Sequence, residues 1–203
     1  MSNPRASSHV RLVARAALGL VAIAAIATPM ASAKPAPKVA FFGGGATVQF
    51  DPAVFTPLGV AATPGTGAVP TSSGIRFKIT GGDGTTRYPL SGQIRSVKGM
   101  TLQQGDTRLT LNWFNVSLGG SHALSEIVGS NADWGPRMTL FSLNITKPSL
   151  VVKAARFQLN NVPIVLTPVG AAVLNAHFGA GAAPFTAAQQ VGTLQVRTSY
   201  YVK

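Results

Sequence analysis

The sequence predicts a mainly β fold, a two-sheet antiparallel sandwich with one or two short helices, and three observations support this. Apolar and polar residues alternate along Gly74–Thr80, which is the period of a half-buried strand. Similar segments recur along the chain, and Gly, Asn, Asp or Pro residues separate most of them. Within Arg108–Leu118 and Arg137–Ile145 the apolar face switches sides, which a β-bulge or a crossing between packed sheets explains.

The expected strands cover most of the chain after residue 45. Turn chemistry is strongest at Gly81–Gly84, which contains an Asp-Gly pair, and at Asn160-Asn161. Gly59–Ser73 is rich in Pro, Gly, Thr and Ala and is expected to be an ordered surface loop. The predicted strands are Ala46–Phe50, Gly74–Thr80, Gly92–Val97, Met100–Gln103, Arg108–Leu118, Ala123–Val128, Arg137–Ile145, Leu150–Leu159, Val162–Thr167 and Val191–Val202.

Two short helices are expected between these strands. Asp51 followed by proline predicts an N-cap and a first helical residue for a helix over Pro52–Leu58. Thr167 and Pro168 repeat this pattern, and apolar residues at helical spacing continue it to Phe178. Gly179 is then expected to close the second helix.

The first 33 residues have the three parts of a cleavable secretory signal peptide. Arginines precede an apolar run, Ala16–Ala27, and Pro29 and the small residues Ala31-Ser32-Ala33 follow it. The apolar run is shorter than the roughly 20 residues that a membrane-spanning helix needs. We therefore expect cleavage before Lys34, export to the cell exterior or cell wall, a flexible lead-in over 34–45, and a single domain over 46–203. No membrane span is expected in the mature chain.

The charge balance predicts attraction to anionic surfaces. The chain has 17 Lys and Arg residues against 5 Asp and Glu residues, a net charge of +12. The anionic partners open to an exported protein are envelope polymers, phospholipid headgroups and acidic glycans, or another exported protein; the charge could also serve solubility alone. Basic residues expected on the outer face of the strands are Arg76, Lys78, Arg95 and Arg197. No basic run is interleaved with aromatic residues, so nucleic acid is not expected as a partner.

Several enzyme classes are disfavoured by the residues present. The chain has no cysteine, which excludes cysteine catalysis and thiolate zinc sites. Asp51, Asp83 and Asp106 are explained as cap and turn residues, which leaves Glu126 and Asp133, a weak basis for a glycosidase pair. No G-x-S-x-G elbow is present. We therefore expect no catalytic residues, no metal and no cofactor.

Two histidines and two tryptophans remain to be interpreted. His122 follows a glycine turn and is expected to be a solvated loop residue. His177 lies late in the second helix, where it can interact with the helix dipole. Trp113 is expected in the core. Trp134 lies in a loop, either as an exposed anchor for a ligand or folded back on the sheet.

Several segments carry a recognisable family pattern: Phe77–Gly82, Gly92–Leu102, Met138–Leu143, Leu166–Phe185 and Gly192. Together they resemble a family of secreted actinobacterial β-domains and, more distantly, the HtaA-like domain of cell-envelope haem uptake. The resemblance implies haem binding through tyrosine and histidine. Ser96 stands where the family pattern has a histidine, which leaves Tyr88, His122 and His177 as the candidate ligands.

The leading functional hypothesis is an exported, non-enzymatic β-sandwich module that associates with the cell envelope or with an extracellular partner. The alternative is a haem-binding carrier of the HtaA-like type. The two hypotheses use different residues, the basic outer face in the first and tyrosine or histidine in the second.

Overall fold

A computed structural model describes residues 36–96, 99–119, 123–129, 138–179 and 184–203, with the backbone alone described for 112–114 and 123–129. These residues form thirteen strands and two α-helices, which confirms the mainly β prediction. The strands are β1 (Lys38–Phe50), β2 (Ala61–Pro64), β3 (Ala68–Thr71), β4 (Gly74–Lys78), β5 (Gly81–Thr85), β6 (Gly92–Arg95), β7 (Met100–Gln104), β8 (Thr107–Ser117), β9 (Ala123–Gly129), β10 (Phe141–Leu143), β11 (Leu150–Lys153), β12 (Arg156–Leu166) and β13 (Gln190–Val202). The helices are α1 (Pro52–Phe55) and α2 (Pro168–Phe178). Short 3-10 turns lie at Thr56–Leu58 and Lys147–Ser149.

The strands pack as two antiparallel layers. The first layer has the order β3-β4-β1-β13-β12-β11. The second has the order β10-β9-β8-β6-β5, with β7 added to β8 and β2 added to β7. The layers are hydrogen-bonded to each other where β1 meets β5 and where β12 meets β10. The predicted two-sheet sandwich is therefore confirmed, with its two sheets joined at both sides.

Three long strands change partner midway, and each has a register shift at that point. The shift in β1 lies between Phe42 and Gly45, where its partner changes from β5 to β4. The shift in β12 lies between Leu159 and Val162, where its partner changes from β11 to β10. In β8 the shift lies after Leu111, where its partner changes from β7 to β6. The bulge or crossing predicted within Arg108–Leu118 is thus confirmed.

The space between the layers is filled by one hydrophobic core. It contains close aromatic pairs: the ring centroids of Phe41 and Phe157 are 5.0 Å apart, and those of Phe55 and the partly buried Phe50 are 4.9 Å apart. Tilted ring pairs at this distance add stabilisation beyond the area they bury. The largest fully buried side chains include Phe77, Phe141, Phe157 and Phe178.

Helix α2 begins as the sequence predicts, but its buried face differs from the apolar spacing expected, because Val169 is exposed and Gly170, Ala171 and Leu174 are buried. The backbone amide of Gly170 donates to the side-chain oxygen of Thr167 at 2.9 Å, and the Thr167 hydroxyl lies 2.7 Å from the carbonyl oxygen of Thr139. Gly170 lies so close to the backbone of Leu140 that a Cβ atom on Gly170 would be 1.9 Å from the Leu140 carbonyl oxygen. The missing side chain therefore sets how near α2 lies to the sheet.

No helix among the described residues is long and apolar enough to cross a membrane.

Two glycine-rich segments are strands instead of the lead-in and turn that the sequence predicted. Gly43–Gly45 lies inside β1, which starts at Lys38, eight residues before the expected domain boundary. Gly81–Gly84 belongs to β5. At Gly82 a Cβ atom would lie 2.2 Å from the Gln93 carbonyl oxygen, so this glycine allows close approach of β5 and β6 and does not mark a turn.

The connection between β11 and β12 also differs from the prediction. Leu150–Leu159, expected as one strand, contains a two-residue turn at Ala154 and Ala155, with φ angles of 47° and 58°. Asn160-Asn161, expected as a turn, lies at the bulge of β12, where Asn161 has φ 49°. Positive φ at both turn residues normally favours Asn and Gly. Two alanines therefore did not indicate a turn in the sequence.

The remaining differences are in element length. Gly59–Ser73, expected as a loop, contains the short strands β2 and β3. The strand expected over Arg137–Ile145 is limited to β10 within the described residues. The helix expected over Pro52–Leu58 is α1 followed by a 3-10 turn.

Candidate functional site

The outer surface of the first layer brings basic residues of three strands together around one glycine. Gly45 of β1 pairs with Lys78 of β4 on one side and with Arg197 of β13 on the other. Directly opposed residues of neighbouring strands project from the same face of a sheet. Lys78 and Arg197 therefore flank Gly45 on the solvent side.

The neighbouring rows add two more arginines to this surface. Thr47, two residues after Gly45, pairs with Arg76 of β4. On the other side of β13, Ser199 pairs with Arg156 of β12. All four basic side chains are exposed. We call Arg76, Lys78, Arg156 and Arg197, together with the Gly45 between them, the basic face.

Gly45 lets the cations converge because it has no side chain. A Cβ atom at this position would lie 2.6 Å from Nε of Arg76, so the Arg76 side chain crosses the space above Gly45. Arg197 and Lys78 border the same space from either side. The backbone at Gly45 therefore forms the base of a shallow site, and three positively charged side chains surround it.

The bulge in β1 holds Gly45 in this place. Gly44 has φ +81°, and a Cβ atom there would lie 2.0 Å from the Arg197 carbonyl oxygen. Thr198 is buried, and its hydroxyl lies 3.2 Å from the Phe42 carbonyl oxygen and 2.9 Å from that of Gly43, to which it donates. The bulge is thus fixed by a glycine conformation and by a buried hydroxyl from β13.

Two pockets open on the basic face, and Arg197 lines both. The first, of about 300 Å³, is lined by Gly45, Thr47, Thr71, Ser73, Arg76, Gln195 and Arg197. The second, of about 240 Å³, is lined by Gly44, Arg156, Gln158, Arg197, Thr198 and Ser199. Both linings combine two arginines with hydroxyl and amide groups, and neither contains a carboxylate.

The four cations have no acidic partner within the described residues. One salt bridge is found there, between Arg95 Nη2 and Asp83 Oδ1 at 3.2 Å. Arg76, Lys78 and Arg197 lie on the two sides of β1 and are not directly opposed, but as unneutralised like charges on one surface they repel each other. An anion bound between Arg76, Lys78 and Arg197 would relieve that repulsion, so the arrangement favours anion binding.

The structure groups three of the four basic residues predicted for the outer face. Arg95 stands apart because it lies on β6 of the second layer and its charge is paired with Asp83. Asp83 lies in β5, paired with Gln93, which corrects the expectation that it is a turn residue. Arg156 was missed, although the alternation of Arg156, Gln158 and Asn160 with buried Phe157 and Leu159 was a readable signal.

An exposed aromatic pair lies beside the basic face. Phe42 and Tyr201 are 50% and 57% exposed, and their ring centroids are 5.9 Å apart. Phe42 pairs with Ser199, the residue opposite Arg156. Apolar ring surface is therefore available next to the second pocket. Tyr201 therefore faces outward, whereas Tyr200 packs partly against the core.

The described haem-ligand candidates lie on separate elements. Tyr88 follows β5, is 37% exposed, and has Lys147 Nζ at 6.0 Å from its ring centroid. His177 is in the last turn of α2, where Nδ1 lies 3.0 Å from the Val173 carbonyl oxygen. Ser96 is 2% exposed. His122 lies outside the described residues.

A further pocket, of about 370 Å³, lies between the end of β1, α1 and β2–β4, and its walls include Phe50, Phe55, Val60 and Ile75. Its lining contains no His, Tyr, Met or Cys, the residues that hold haem iron. Within the described part of the chain, no three His, Cys, Asp or Glu residues cluster as metal ligands.

Among the other candidate residues, Asp51 and Asp106 lie in the fully described part of the chain. The amide of Ala53 donates to Asp51 Oδ1 at 2.9 Å, which confirms the predicted cap. Asp106 lies in the turn between β7 and β8, also as predicted. Trp134 and Asp133 lie outside the described residues, and Trp113 and Glu126 are described in backbone only.

The two joined layers, with long strands that change partner at bulges, define a β-sandwich with the fold of HtaA domains. Solved structures that share it include the C-terminal and N-terminal domains of HtaA and the heme binding protein HtaB, all from Corynebacterium glutamicum. The C-terminal HtaA domain superposes with a TM-score of 0.59 at 14% identity, over 80% of this chain and 99% of that domain. The N-terminal domain gives 0.53 at 14% identity over 78% and 97%, and HtaB gives 0.51 at 10% identity over 82% and 97%.

These likenesses confirm the predicted resemblance at the level of the fold. At 10–14% identity they carry no residue-by-residue correspondence. No protein-family model matches the sequence, and no curated protein matches it.

Proposed function

We propose that this chain is an exported, non-enzymatic module that binds an anionic polymer of the cell envelope through the basic face. The observation that carries the proposal is the convergence of Arg76, Lys78 and Arg197 above Gly45, with no carboxylate among the described residues to neutralise them. Guanidinium groups bind planar and tetrahedral oxyanions through paired hydrogen bonds. After the expected loss of Arg5, Arg11 and Arg15 with residues 1–33, 14 Lys and Arg remain against 5 Asp and Glu, and this net charge of +9 adds long-range attraction to the same kind of partner.

Binding to isolated cell-wall material tests this proposal. The full 203-residue chain is expressed, and the protein released to the medium is incubated with wall fragments and sedimented. Because the contacts are exposed ion pairs, the bound fraction should fall steeply between about 0.05 M and about 0.5 M NaCl, as the Debye length shortens. Salt-insensitive binding, or no binding at low salt, would contradict the proposal.

The matched variants are Arg197→Ala and Arg108→Ala. Both remove one exposed arginine, but Arg108 lies on β8 in the second layer, opposite Gln103. We expect Arg197→Ala to weaken wall binding at least about tenfold, the loss of two shared charge-assisted contacts, and Arg108→Ala to change it little. Equal losses in the two variants would mean that net charge, and not the basic face, mediates binding.

A second candidate function is haem carriage, and the fold shared with the heme binding protein HtaB favours it. Haemin titration of the same protein, followed in the Soret region, separates the candidates. A saturable one-to-one band that is lost in Tyr88→Phe, His177→Ala or His122→Ala would support a carrier. A titration without a Soret band would exclude haem as the ligand and leave the basic face as the candidate binding site.

A further inference from the structure

The proposed function leaves open which anionic group is bound and how many are bound at once. Resting on that proposal, we infer that the ligand is a linear phosphodiester polymer, and that two consecutive phosphates occupy the two pockets on either side of Arg197. The pockets of about 300 Å³ and about 240 Å³ are neighbours on one sheet surface, and Arg197 is a wall of each.

The spacing of the pockets favours two separate anionic groups. The first pocket lies over β4, β1 and β13, and the second lies over β1, β13 and β12. Because adjacent strands are about 4.8 Å apart, the pocket centres are roughly 5–10 Å apart. A short alcohol between two phosphates spans this distance, whereas the single oxygen of pyrophosphate does not.

The donors in each pocket favour a tetrahedral group over a carboxylate. In the first pocket Arg76 approaches from β4 and Arg197 from β13, with Gly45 below them and the hydroxyls of Thr47 and Ser73 at the sides. Donors therefore surround the space from several directions. The acceptor positions of a carboxylate lie in one plane, whereas phosphate oxygens point out of any single plane.

The second pocket repeats this arrangement with different partners. Arg156 approaches from β12 and Arg197 from β13, and Gln158 and Ser199 supply neutral donors. Arg197 can thus contact two successive phosphates, while Arg76 and Arg156 each contact one. Linking two phosphates makes binding of the second an intramolecular event, which raises affinity without new contacts.

Isothermal titration with glycerol-phosphate oligomers of one, two and three phosphates tests the inference. We expect at least about tenfold tighter binding for two phosphates than for one, the gain that effective concentration gives. Arg76→Ala and Arg156→Ala should each reduce the two-phosphate ligand to nearly the affinity of the one-phosphate ligand. Arg197→Ala should weaken both ligands, and Arg108→Ala should weaken neither.

Three results would overturn the inference. Equal affinity for the one-phosphate and two-phosphate ligands would show that the two pockets do not bind two phosphates together. Oligoglutamate of equal charge binding as tightly would remove the preference for phosphate, and oligothymidylate binding more tightly would assign the surface to nucleic acid instead of an envelope polymer. If wall sedimentation is salt-sensitive and lost in Arg197→Ala but these titrations fail, only this inference falls; if both assays fail, the proposed function falls with it.

Discussion

At the scale of single residues, two adjacent glycines in β1 have different roles. Gly44 takes up a left-handed conformation against the Arg197 backbone, with φ +81°. Gly45 is in ordinary strand conformation, and the nearest atom to its absent Cβ is the side-chain Nε of Arg76 at 2.6 Å. The first glycine is therefore required by the backbone, and the second by the arginine that lies over it.

Gly45→Ala should separate binding from stability. The added methyl group meets the flexible Arg76 side chain, which can turn away, and the Phe77 carbonyl oxygen at 3.2 Å, a contact that a small backbone shift relieves. The melting temperature should therefore stay within a few degrees of the wild-type value. Displacement of Arg76 from the first pocket should weaken binding of the two-phosphate ligand severalfold. Thermal unfolding and titration of the same sample measure both effects, and unchanged affinity would show that Arg76 does not bind from above Gly45.

Gly44→Ala is the matched control and should show the opposite pattern. Its Cβ atom would meet the Arg197 carbonyl oxygen at 2.0 Å, and the left-handed conformation alone costs a non-glycine residue about 1–2 kcal/mol. Urea unfolding should give a loss in the free energy of unfolding of at least this size. A variant as stable as the wild type would mean that the bulge at Phe42–Gly45 rearranges at little cost.

At the scale of elements, the start of α2 depends on one hydroxyl. Thr167 accepts from the Gly170 amide at 2.9 Å and lies 2.7 Å from the Thr139 carbonyl oxygen. Thr167→Val keeps the shape and removes these bonds, so the free energy of unfolding should fall by about 1–2 kcal/mol. Thr167→Ser keeps the hydroxyl and should lose much less. Equal losses in urea unfolding would place the effect in packing and not in the cap.

The elements that the sequence predicted best are those with local signals. The cap and proline at Thr167-Pro168 predicted α2, and the face switch within Arg108–Leu118 predicted the bulge of β8. Elements without a local signal were missed. The turn at Ala154-Ala155 uses residues that seldom adopt positive φ, and its conformation is imposed by the pairing of β11 with β12.

At the scale of the whole molecule, the site depends on pairings between distant parts of the chain. The alternation in β4 predicts that Arg76 and Lys78 face outward, and that in β13 predicts the same for Arg197. That these residues meet over Gly45 follows from β1 pairing with both strands. No local pattern encodes such non-local pairing, so the residues of the basic face were predictable and their convergence was not.

Export itself gives a prediction for the whole molecule. The protein collected from the medium of expressing cells should begin at Lys34, because signal peptidase accepts the small residues at Ala31 and Ala33. N-terminal sequencing and intact mass measure this directly, and Ala33→Pro, which should block cleavage, is the control. Retention of residues 1–33 on the released protein would contradict the predicted cleavage.

The pairing of the first strand with the last has a mechanical consequence. Val39 pairs with Val202, and the Lys203 amide donates to the Lys38 carbonyl oxygen at 3.1 Å, so the chain enters and leaves the domain at neighbouring points. A force that separates Lys38 from Lys203 loads the bonds between β1 and β13 one pair at a time, starting from that end. The ladder then peels open at low force instead of resisting as a whole in shear, and a domain tethered by both ends would yield from this corner first.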